Sequence, residues 1–468
     1  FGSRPYPGEQ LRQRYSHLEA MTAHVGSATK VLCTWWCLIH GFAFGALREE
    51  GTRGECHQGE TEPASLLQRT FGLSEARRGS QLAATATSSQ SNYPWHTPCR
   101  RRHPLTRRRR SAGTGSWQSV GSLSVSAGAA AYTSIAFPLS SDVPYVVYQD
   151  ATEGGRPTLM AFSDNAWAAV GKAGFYESSV EYTSLAFNPS TSVPYVAFVD
   201  TWMKMANVMS YEDGTWADLY KPAAYSEGYT SLAFNPASSV PYIAFSDTAQ
   251  HGKASVMLFN TDAWAWEYVG APGFSAGVAT FTSLAFNPTN NLPYVAFSDG
   301  SQDGQLTVMH FNGSAWLPVG KPGGCCGSPV AFVSLAFNHS DGVPYVALRD
   351  MWTGYLVVVS FDQDWAYVGG RPMFPAGNAS LCFGFSPLRG GSSVAPGTPV
   401  VVFSDYLESE RASVIIFTSG DWAYLGAPGL SEGAASYSSL AFSGTSGAPY
   451  IAFSDAAYSQ RARAMAFL

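Results

Sequence analysis

Aspartate is the polar residue that recurs most regularly along this sequence of 468 residues. It ends seven copies of a segment typified by PYVAFSD, at Asp150, Asp200, Asp247, Asp299, Asp350, Asp405 and Asp455. Carboxylate oxygens bind calcium and hydroxyl groups, so this series could form a cation site or a ring that binds hydroxyls. Aspartate also accepts hydrogen bonds from backbone N–H groups in turns. Because every copy has the same residue, we expect a structural role in a turn and predict no metal site.

Two tryptophans depart from the repeated pattern. Trp202 and Trp352 each lie two residues after the aspartate, in the second and fifth copies, where four of the other copies have Ala249, Ser301, Leu407 and Ala457. An aromatic ring on a loop can stack on the apolar face of a sugar or anchor a protein partner. The alternative is that each indole packs against a neighbouring loop. Tyr406 and Tyr458 would extend such an aromatic surface.

Positive charge near these aspartates is sparse. Arg349, Arg411 and Arg461 lie in the fifth, sixth and seventh copies, and Arg156 lies in the first. Guanidinium groups bind carboxylates in a forked geometry, which would suit an acidic ligand. The alternative is that they are solvated or form ion pairs with residues such as Glu408 and Glu410. We predict a ligand-binding set that comprises Trp202, Trp352, Tyr406, Arg349, Arg411 and Arg461.

Motifs for catalysis are incomplete in this sequence. A sialidase-like enzyme would combine arginines with a tyrosine nucleophile and carboxylates, but the nearest Asp-box, SYEDGTW at 210–216, is one residue short. After residue 110 the only histidines are His251, His310 and His339, with no HExxH, GxSxG or Walker sequence. The pair Cys325 and Cys326 is too small a set for structural zinc, and we expect surface thiols. The sequence favours a non-catalytic protein without a cofactor, and we predict no catalytic residue.

Repeated segments must position these residues. A tryptophan, two further residues, an aliphatic residue and usually glycine recur at intervals of 49 to 57 residues, at Trp117, Trp167, Trp216, Trp266, Trp316, Trp365 and Trp422. The longest interval contains an insertion at 388–397. TSLAF, PYVAFSD and ASVMxF recur in phase, and such short segments rich in β-branched and aromatic residues are typical of β-strands. We name these three strands A, B and C, and the tryptophan segment strand D. Seven units therefore predict 28 strands, with the repeat tryptophans as packing residues.

The repeat length indicates the architecture. A four-stranded unit of about 50 residues cannot bury both of its faces alone, and this period is the signature of a β-propeller. The sequence therefore predicts an all-β, seven-bladed β-propeller over residues 111–468, with strand A nearest the axis because its Ser and Ala are small. A lone D strand at 116–121 precedes the first unit, and the last unit ends after strand C. We predict that these segments pair and close the ring.

The strand order also predicts where a ligand binds. In an antiparallel blade, the B-to-C and D-to-A loops share one face, which we call the loop face. The A-to-B and C-to-D turns share the opposite face, which we call the turn face. The turns are short and uniform, whereas the loops are longer and vary between units. Because variable loops on a rigid scaffold usually carry binding residues, we expect a ligand on the loop face.

The first 110 residues differ in character from the remainder. They contain 16 Lys and Arg against 8 Asp and Glu, whereas residues 111–468 contain 12 against 26. Without a sustained period, residues 1–110 indicate a leader or linker that is disordered. The uncharged run at 31–47 suggests a signal peptide near residues 21–47, with a membrane anchor or an unstructured leader as alternatives. We expect a secreted or cell-surface protein, and the acidic propeller disfavours nucleic acid as a partner.

The repeat of SLAF, PYVAFSD, ASVMxFN and WxxVG resembles tandem-repeat propellers of predicted secreted proteins from bacteria and algae. The resemblance covers residues 111–468 and implies the propeller fold, which hosts many functions. Our leading hypothesis is a monomeric, non-catalytic module that binds a glycan or protein on the loop face. The alternatives are a sialidase-like glycan-processing enzyme and an intracellular protein-interaction scaffold.

Overall fold

The structure of the chain is a computed structural model. It describes residues 111–112, 115–121, 124–219, 225–226, 228–370, 374–377, 382–385 and 394–468. The predicted leader over residues 1–110, including the signal peptide near residues 21–47, lies outside the described residues. Within the described ranges, no helix is long and apolar enough to cross a membrane.

The described chain is built from short strands. Two precede the first blade, β1 (Ser111–Ala112) and β2 (Trp117–Ser119). Blades one and two contain β3 (Ala130–Ala136), β4 (Tyr145–Asp150), β5 (Arg156–Ser163), β6 (Ala166–Ala169), β7 (Val180–Phe187), β8 (Pro194–Asp200), β9 (Met205–Glu212) and β10 (Thr215–Asp218). Blades three and four contain β11 (Ser231–Phe234), β12 (Pro241–Asp247), β13 (Lys253–Asn260), β14 (Ala265–Tyr268), β15 (Ala279–Phe286), β16 (Pro293–Asp299), β17 (Gln305–Phe311) and β18 (Trp316–Pro318).

The remaining three blades follow the same plan. Blade five contains β19 (Val330–Phe337), β20 (Pro344–Asp350), β21 (Tyr355–Phe361), β22 (Trp365–Tyr367) and the short β23 (Phe374–Pro375). Blades six and seven contain β24 (Cys382–Phe385), β25 (Pro399–Asp405), β26 (Arg411–Thr418), β27 (Asp421–Leu425), β28 (Ala435–Phe442), β29 (Pro449–Asp455) and β30 (Arg461–Phe467). Single-turn 3₁₀ helices cover Ala151–Glu153, Thr248–Gln250, Gly300–Gln302, Tyr406–Glu408 and Ala456–Tyr458.

The seven sheets form a closed ring. In every blade strands A, B, C and D are antiparallel neighbours in that order. Each A strand contacts the A strand of the next blade, and the series returns from β28 to β3. Strand A is therefore innermost, and the predicted seven-bladed β-propeller is confirmed.

Ring closure also follows the prediction. Strand β2 pairs antiparallel with β30, with Trp117 opposite Phe467, and supplies the outer strand of blade seven. The N–H of Ser116 donates to the carbonyl of Leu468 at 2.8 Å, and a reciprocal bond spans 3.1 Å. Strand β1 pairs in parallel with β27 as a fifth strand of blade six, which the repeat pattern did not predict.

The Ser and Thr of TSLAF connect the A strands of neighbouring blades. The hydroxyl of Ser134 accepts a hydrogen bond from the N–H of Leu185 at 3.1 Å, and the Thr183 hydroxyl donates to the Tyr132 carbonyl. The same arrangement closes the ring, because the Ser439 hydroxyl accepts from the N–H of Ile135 at 3.1 Å. The inner edge of each sheet has backbone groups without a strand partner, and these hydroxyls satisfy some of them.

The repeat tryptophans connect the blades at the outer edge. Each indole N–H donates to the carbonyl of the aliphatic residue in the preceding WxxVG segment. The donors and acceptors are Trp117 and Leu425, Trp167 and Val120, Trp216 and Val170, Trp266 and Leu219, Trp316 and Val269, Trp365 and Val319, and Trp422 and Val368. The predicted packing role of these tryptophans is confirmed. The accepting carbonyl always belongs to the residue three positions after the preceding repeat tryptophan.

The glycine that follows this acceptor is required by the same contact. Gly270 has a φ of +73°, and a Cβ placed there would lie 2.8 Å from the ring of Phe311 and 3.3 Å from the ring of Trp316. A side chain at this position would therefore meet both a strained backbone and the tryptophan of the next blade.

Asp142 joins blades one and seven on the turn face. Its carboxylate accepts hydrogen bonds from the N–H groups of Thr445 and Ser446, at 3.1 and 3.0 Å, and from the hydroxyls of Ser443 and Thr445. Partial burial alone would raise the pKa of Asp142, but these bonds lower it from 3.8 to about 2. This residue therefore supplements the strand pairing that closes the ring.

Candidate functional site

The loop face is organised around the seven aspartates that end the B strands. In each blade one carboxylate oxygen accepts a hydrogen bond from the N–H two residues later, at 2.8 to 3.0 Å. All seven aspartates are buried. In five blades this bond caps the single-turn 3₁₀ helix. The predicted turn role of these aspartates is confirmed.

The second carboxylate oxygen anchors strand C in several blades. In blade four, Asp299 accepts a hydrogen bond from the hydroxyl of Thr307 at 3.0 Å, and blades one, three and six use Thr158, Ser255 and Ser413 in the same way. In blade two, Asp200 instead accepts from the hydroxyls of Tyr176 and Ser178. These carboxylates are therefore occupied by the fold itself.

Blades two and five replace the 3₁₀ helix by a tighter turn. In blade two, both Trp202 and Met203 donate their N–H groups to one oxygen of Asp200, each at 2.8 Å. Lys204, at a φ of 53°, then donates its N–H to the Asp200 carbonyl at 2.9 Å. Blade five repeats this turn at Asp350, Trp352 and Thr353, with Gly354 in the position of Lys204. Each tryptophan is therefore held by backbone bonds that do not involve its indole.

The two indoles project into solvent. Trp202 is 82% exposed and Trp352 is 74% exposed, so the alternative in which they pack against neighbouring loops is wrong. Among the described residues, no acceptor lies within hydrogen-bond distance of either indole N–H, in contrast to the repeat tryptophans. Met203 and Met351 next to them are also exposed. A rigid backbone therefore presents two wide apolar surfaces on one face of the propeller.

A shallow cavity lies beside the turn of blade two. Lys204, Tyr225, Thr248 and Ala249 line a volume of about 260 Å³ that is open to solvent. Tyr225 is held there by a β-bridge to Met205, the first residue of strand C. The D-to-A segment of blade three thus reaches across to the Trp202 turn, and its tyrosine ring is half exposed.

Blade five has a related neighbourhood. Tyr355 pairs with Pro375 as Met205 pairs with Tyr225, and Ala376 forms a β-bridge with Asp405 of blade six. Tyr406, the residue after Asp405, is 62% exposed. The predicted residues Trp352 and Tyr406 thus lie on adjacent B-to-C loops, whereas Trp202 lies in blade two.

The predicted arginines lie on two kinds of strand. Arg349 is half-buried within strand B of blade five, where burial lowers its pKa and the charges of Glu410 and Tyr406 oppose that effect. Arg411 donates to a Glu408 carboxylate oxygen at 3.2 Å and to the Glu408 carbonyl at 3.0 Å. Arg461 is exposed at the start of β30. The ion pair expected as the alternative for Arg411 is confirmed. Arg411 and Arg461 occupy equivalent positions at the start of strand C, opposite Asp405 and Asp455, whereas Arg349 lies on strand B.

A buried arginine in blade seven was missed by the sequence reasoning. Arg463 is 6% exposed and lies 3.8 Å from Asp455, with its guanidinium 4.3 Å above the Tyr458 ring. Tyr458 also donates its hydroxyl to Glu432 at 2.7 Å, so it is engaged within the fold. Aligning the C strands shows the signal, because Arg463 occupies the place of Thr158, Ser255, Thr307 and Ser413.

A belt of aromatic rings near the axis was also missed. We call it the axial belt, and its members precede the TSLAF threonine or its equivalent, at Tyr132, Tyr182, Tyr229, Phe281, Phe332 and Tyr437. Successive rings touch, with centroids 4.7 to 5.3 Å apart from Tyr437 through Tyr132 to Phe332. The repeat alignment contains this column of aromatics, but nothing in the alignment places its members at a bulge near the loop face.

The cysteine pair departs from expectation. The structure joins Cys325 and Cys326 to each other by a disulfide, whereas free surface thiols were expected. Both residues are partly buried and pack against the core between blades four and five. Adjacent thiols in a glycine-rich loop are close enough to bond, and the contact with the core favours the less polar disulfide.

Comparisons with known proteins find distant structural neighbours. No family model matches the chain, and no curated protein is significantly similar to it. AofleA from Arthrobotrys oligospora is 12% identical, with a TM-score of 0.42 over 67% of this chain and 90% of that chain. A variant of AofleA gives the same identity and TM-score. The six-bladed propeller lectin of Aleuria aurantia, described with a fucose recognition mode, is 12% identical at a TM-score of 0.40, over 63% of this chain and 96% of that chain.

Proposed function

We propose that this propeller is a carbohydrate-binding module that uses Trp202 and Trp352 as stacking platforms on the loop face. The observation that carries the proposal is the exposure of both indoles, 82% and 74%, on turns fixed by buried aspartates. A flat indole suits the apolar face of a pyranose ring, and stacking there would remove apolar surface from water. Because the backbone is already ordered, little entropy is lost when a ligand binds.

The two tryptophans form separate sites in this proposal. Blade two and blade five are three steps apart in one direction around the ring and four in the other, so a single sugar unit cannot reach both indoles. The cavity of about 260 Å³ beside Lys204 and Tyr225 adds polar and aromatic groups to the blade-two site. Arg349 lies beside the turn that carries Trp352, and Tyr406 lies on the adjacent B-to-C loop of blade six. We therefore expect a ligand with repeated sugars to bind more tightly than a monosaccharide, through effective concentration.

A glycan array followed by titration of the full chain tests the proposal. Trp202→Ala and Trp352→Ala should each weaken binding of the best glycan by about 1 to 3 kcal/mol, while leaving the melting temperature unchanged. Trp264→Ala is the matched control, because Trp264 is 56% exposed but lies in a C-to-D turn on the turn face. Unchanged glycan affinity in both single variants and in the double variant would refute the proposal. Binding that is lost equally in the Trp264 control would also refute it.

A further inference from the structure

The loop at 321–330, which we call the cysteine loop, differs from its counterparts at two key positions. It connects strand D of blade four to strand A of blade five on the loop face. Counting back from the first residue of strand A, Cys325 and Cys326 take the places of Phe274 and Ser275 in the loop before blade four. The disulfide therefore lies where the other loop has an aromatic ring and a serine.

Phe274 and Ser275 show what these two positions do. The Phe274 ring stacks on the ring of Trp316, with centroids 4.2 Å apart. The Ser275 hydroxyl accepts a hydrogen bond from the N–H of Ala254 in strand C at 2.9 Å. The same serine arrangement recurs at Ser126 and Ser431. The ring and the hydroxyl together fasten such a loop to the repeat tryptophan and to strand C.

The cysteine loop has neither of these groups. Cys325 and Cys326 pack instead into the cluster that contains Trp365, and a thiol is only a weak hydrogen-bond donor. Ser328, two residues later, is 1% exposed, and its hydroxyl has no hydrogen-bond partner in the part of the chain that the structure describes. The disulfide therefore supplies the apolar contact and the restraint on the backbone that the ring and the serine supply elsewhere.

This disulfide acts locally. It joins two neighbours in sequence, with Cα atoms 3.8 Å apart, and so it encloses almost no length of chain. Because a disulfide stabilises a protein mainly in proportion to the loop it closes, opening this bond should cost the whole propeller little. Both cysteines are partly buried between the exposed residues Gly324 and Gly327, which leave room for a small thiol to approach. The bond can therefore open without unfolding the blade.

The cysteine loop is bonded directly to the turn that carries Trp352. The Pro329 carbonyl accepts a hydrogen bond from the N–H of Met351 at 3.0 Å, and Met351 precedes Trp352. The equivalent bond in blade two joins the Ser179 carbonyl to the N–H of Thr201, also at 3.0 Å, in a loop without cysteine. A change in the cysteine loop therefore reaches the turn of blade five and leaves that of blade two as it is.

We propose that Cys325 and Cys326 form a redox site that exchanges with small thiols and sets the mobility of the cysteine loop and of the Trp352 turn. A thiolate attacks one sulfur, the S–S bond breaks, and the other cysteine leaves as a thiolate that takes up a proton. A second thiol then attacks the mixed disulfide, which releases the remaining cysteine thiol and the disulfide of the two small thiols. Two electrons and two protons have then entered the cysteine pair. The redox site stands independently of the function proposed above, and only its effect on glycan binding rests on that function.

Thiol labelling combined with hydrogen exchange tests the site on the full chain. N-ethylmaleimide should label neither cysteine of the pair before treatment with dithiothreitol and both afterwards, while far-UV circular dichroism stays unchanged. After reduction, peptides that contain the amides of Gly323 and Met351 should exchange at least about tenfold faster, because these amides are bonded within and beside the cysteine loop. Peptides with the amides of Phe175 and Thr201, bonded in the same way beside blade two, should be unchanged.

The double variant Cys325→Ala/Cys326→Ala is the matched control. It should exchange as the reduced parent chain does, both with and without dithiothreitol. Labelling of the pair before reduction or unchanged exchange after reduction would overturn the proposal. A response to dithiothreitol that persists in the double variant would overturn it as well.

Glycan titrations distinguish a failure of this proposal from a failure of the proposed function. Reduction should weaken binding of the best glycan about tenfold in Trp202→Ala, which retains the blade-five site, and should leave it unchanged in Trp352→Ala. An equal loss in both variants would contradict the coupling to the Trp352 turn. If the parent chain binds no glycan, the proposed function fails, whereas labelling and exchange still decide the redox site.

Discussion

Trp316 provides a direct test of how the blades are held together. Its side chain is 8% exposed between blades three and four, and its indole N–H donates to the Val269 carbonyl at 2.7 Å. The indole stacks on Phe274 with centroids 4.2 Å apart and planes 12° from parallel. One side chain therefore combines apolar burial, aromatic stacking and a hydrogen bond across a blade interface.

The expected loss of stability follows from these contacts. Trp316→Ala removes a buried aromatic ring and leaves a cavity, which costs about 3 to 5 kcal/mol. It also leaves the Val269 carbonyl without its donor, which adds about 1 kcal/mol. Trp316→Phe retains most of the apolar contact and loses the hydrogen bond, so it should cost about 1 to 2 kcal/mol. The difference between the two variants separates packing from hydrogen bonding.

Urea unfolding followed by far-UV circular dichroism measures these costs on the full chain. Trp264→Ala is the control, because it removes a tryptophan that is 56% exposed and should change the free energy of unfolding by less than about 1 kcal/mol. The reasoning would be refuted if Trp316→Ala were as stable as the parent chain. It would also be refuted if the control lost as much stability as Trp316→Ala.

Two further predictions concern ring closure. Deleting residues 116–121 removes the outer strand of blade seven and exposes the edge of β30, so the thermal unfolding midpoint should fall and aggregation should rise. Thermal melts with light scattering measure both, and an unchanged midpoint would contradict closure by this strand. Because the pKa of Asp142 is lowered from 3.8 to about 2, its carboxylate stabilises the folded state above about pH 4, and this contribution is lost as the pH falls towards 2. In urea titrations between pH 2 and pH 6, Asp142→Asn should lose less of its free energy of unfolding in acid than the parent chain does. Identical pH profiles of the two chains would show that the Asp142 hydrogen bonds do not stabilise the fold.

Much of the fold could be predicted because the same sequence patterns recur in seven units, so an assignment made in one unit can be checked in the other six. Seven occurrences of the tryptophan segment and of PYVAFSD predicted four strands per blade, the blade count and the lone D strand that closes the ring, but not the short β1 and β23. The aspartate of PYVAFSD could be assigned to a turn because an identical residue in every blade serves the fold more readily than a ligand. These inferences depend on backbone hydrogen bonds and alternating burial, which act between residues near in sequence.

The candidate sites were predictable only in part. Trp202 and Trp352 stood out as departures from the repeat, yet their exposure depends on a turn one residue shorter than its counterparts, and the sequence left packing against a neighbouring loop open. The arginines looked like a group because they lie in consecutive units. Arg411 and Arg461 do begin their C strands at equivalent positions, whereas Arg349 lies on strand B, so the strand on which each arginine falls fixes its place in the blade.

What the sequence determined by itself is the repeating unit, its strands and the closure of the ring, because these follow from local periodicity. The tertiary structure decided which residues meet across blades. It joined each tryptophan to a carbonyl about 50 residues away, and it brought Asp142 onto the last blade. It also gathered one aromatic residue from each of six blades around the axis. Such contacts depend on the curvature and closure of the whole ring, which no single repeat contains.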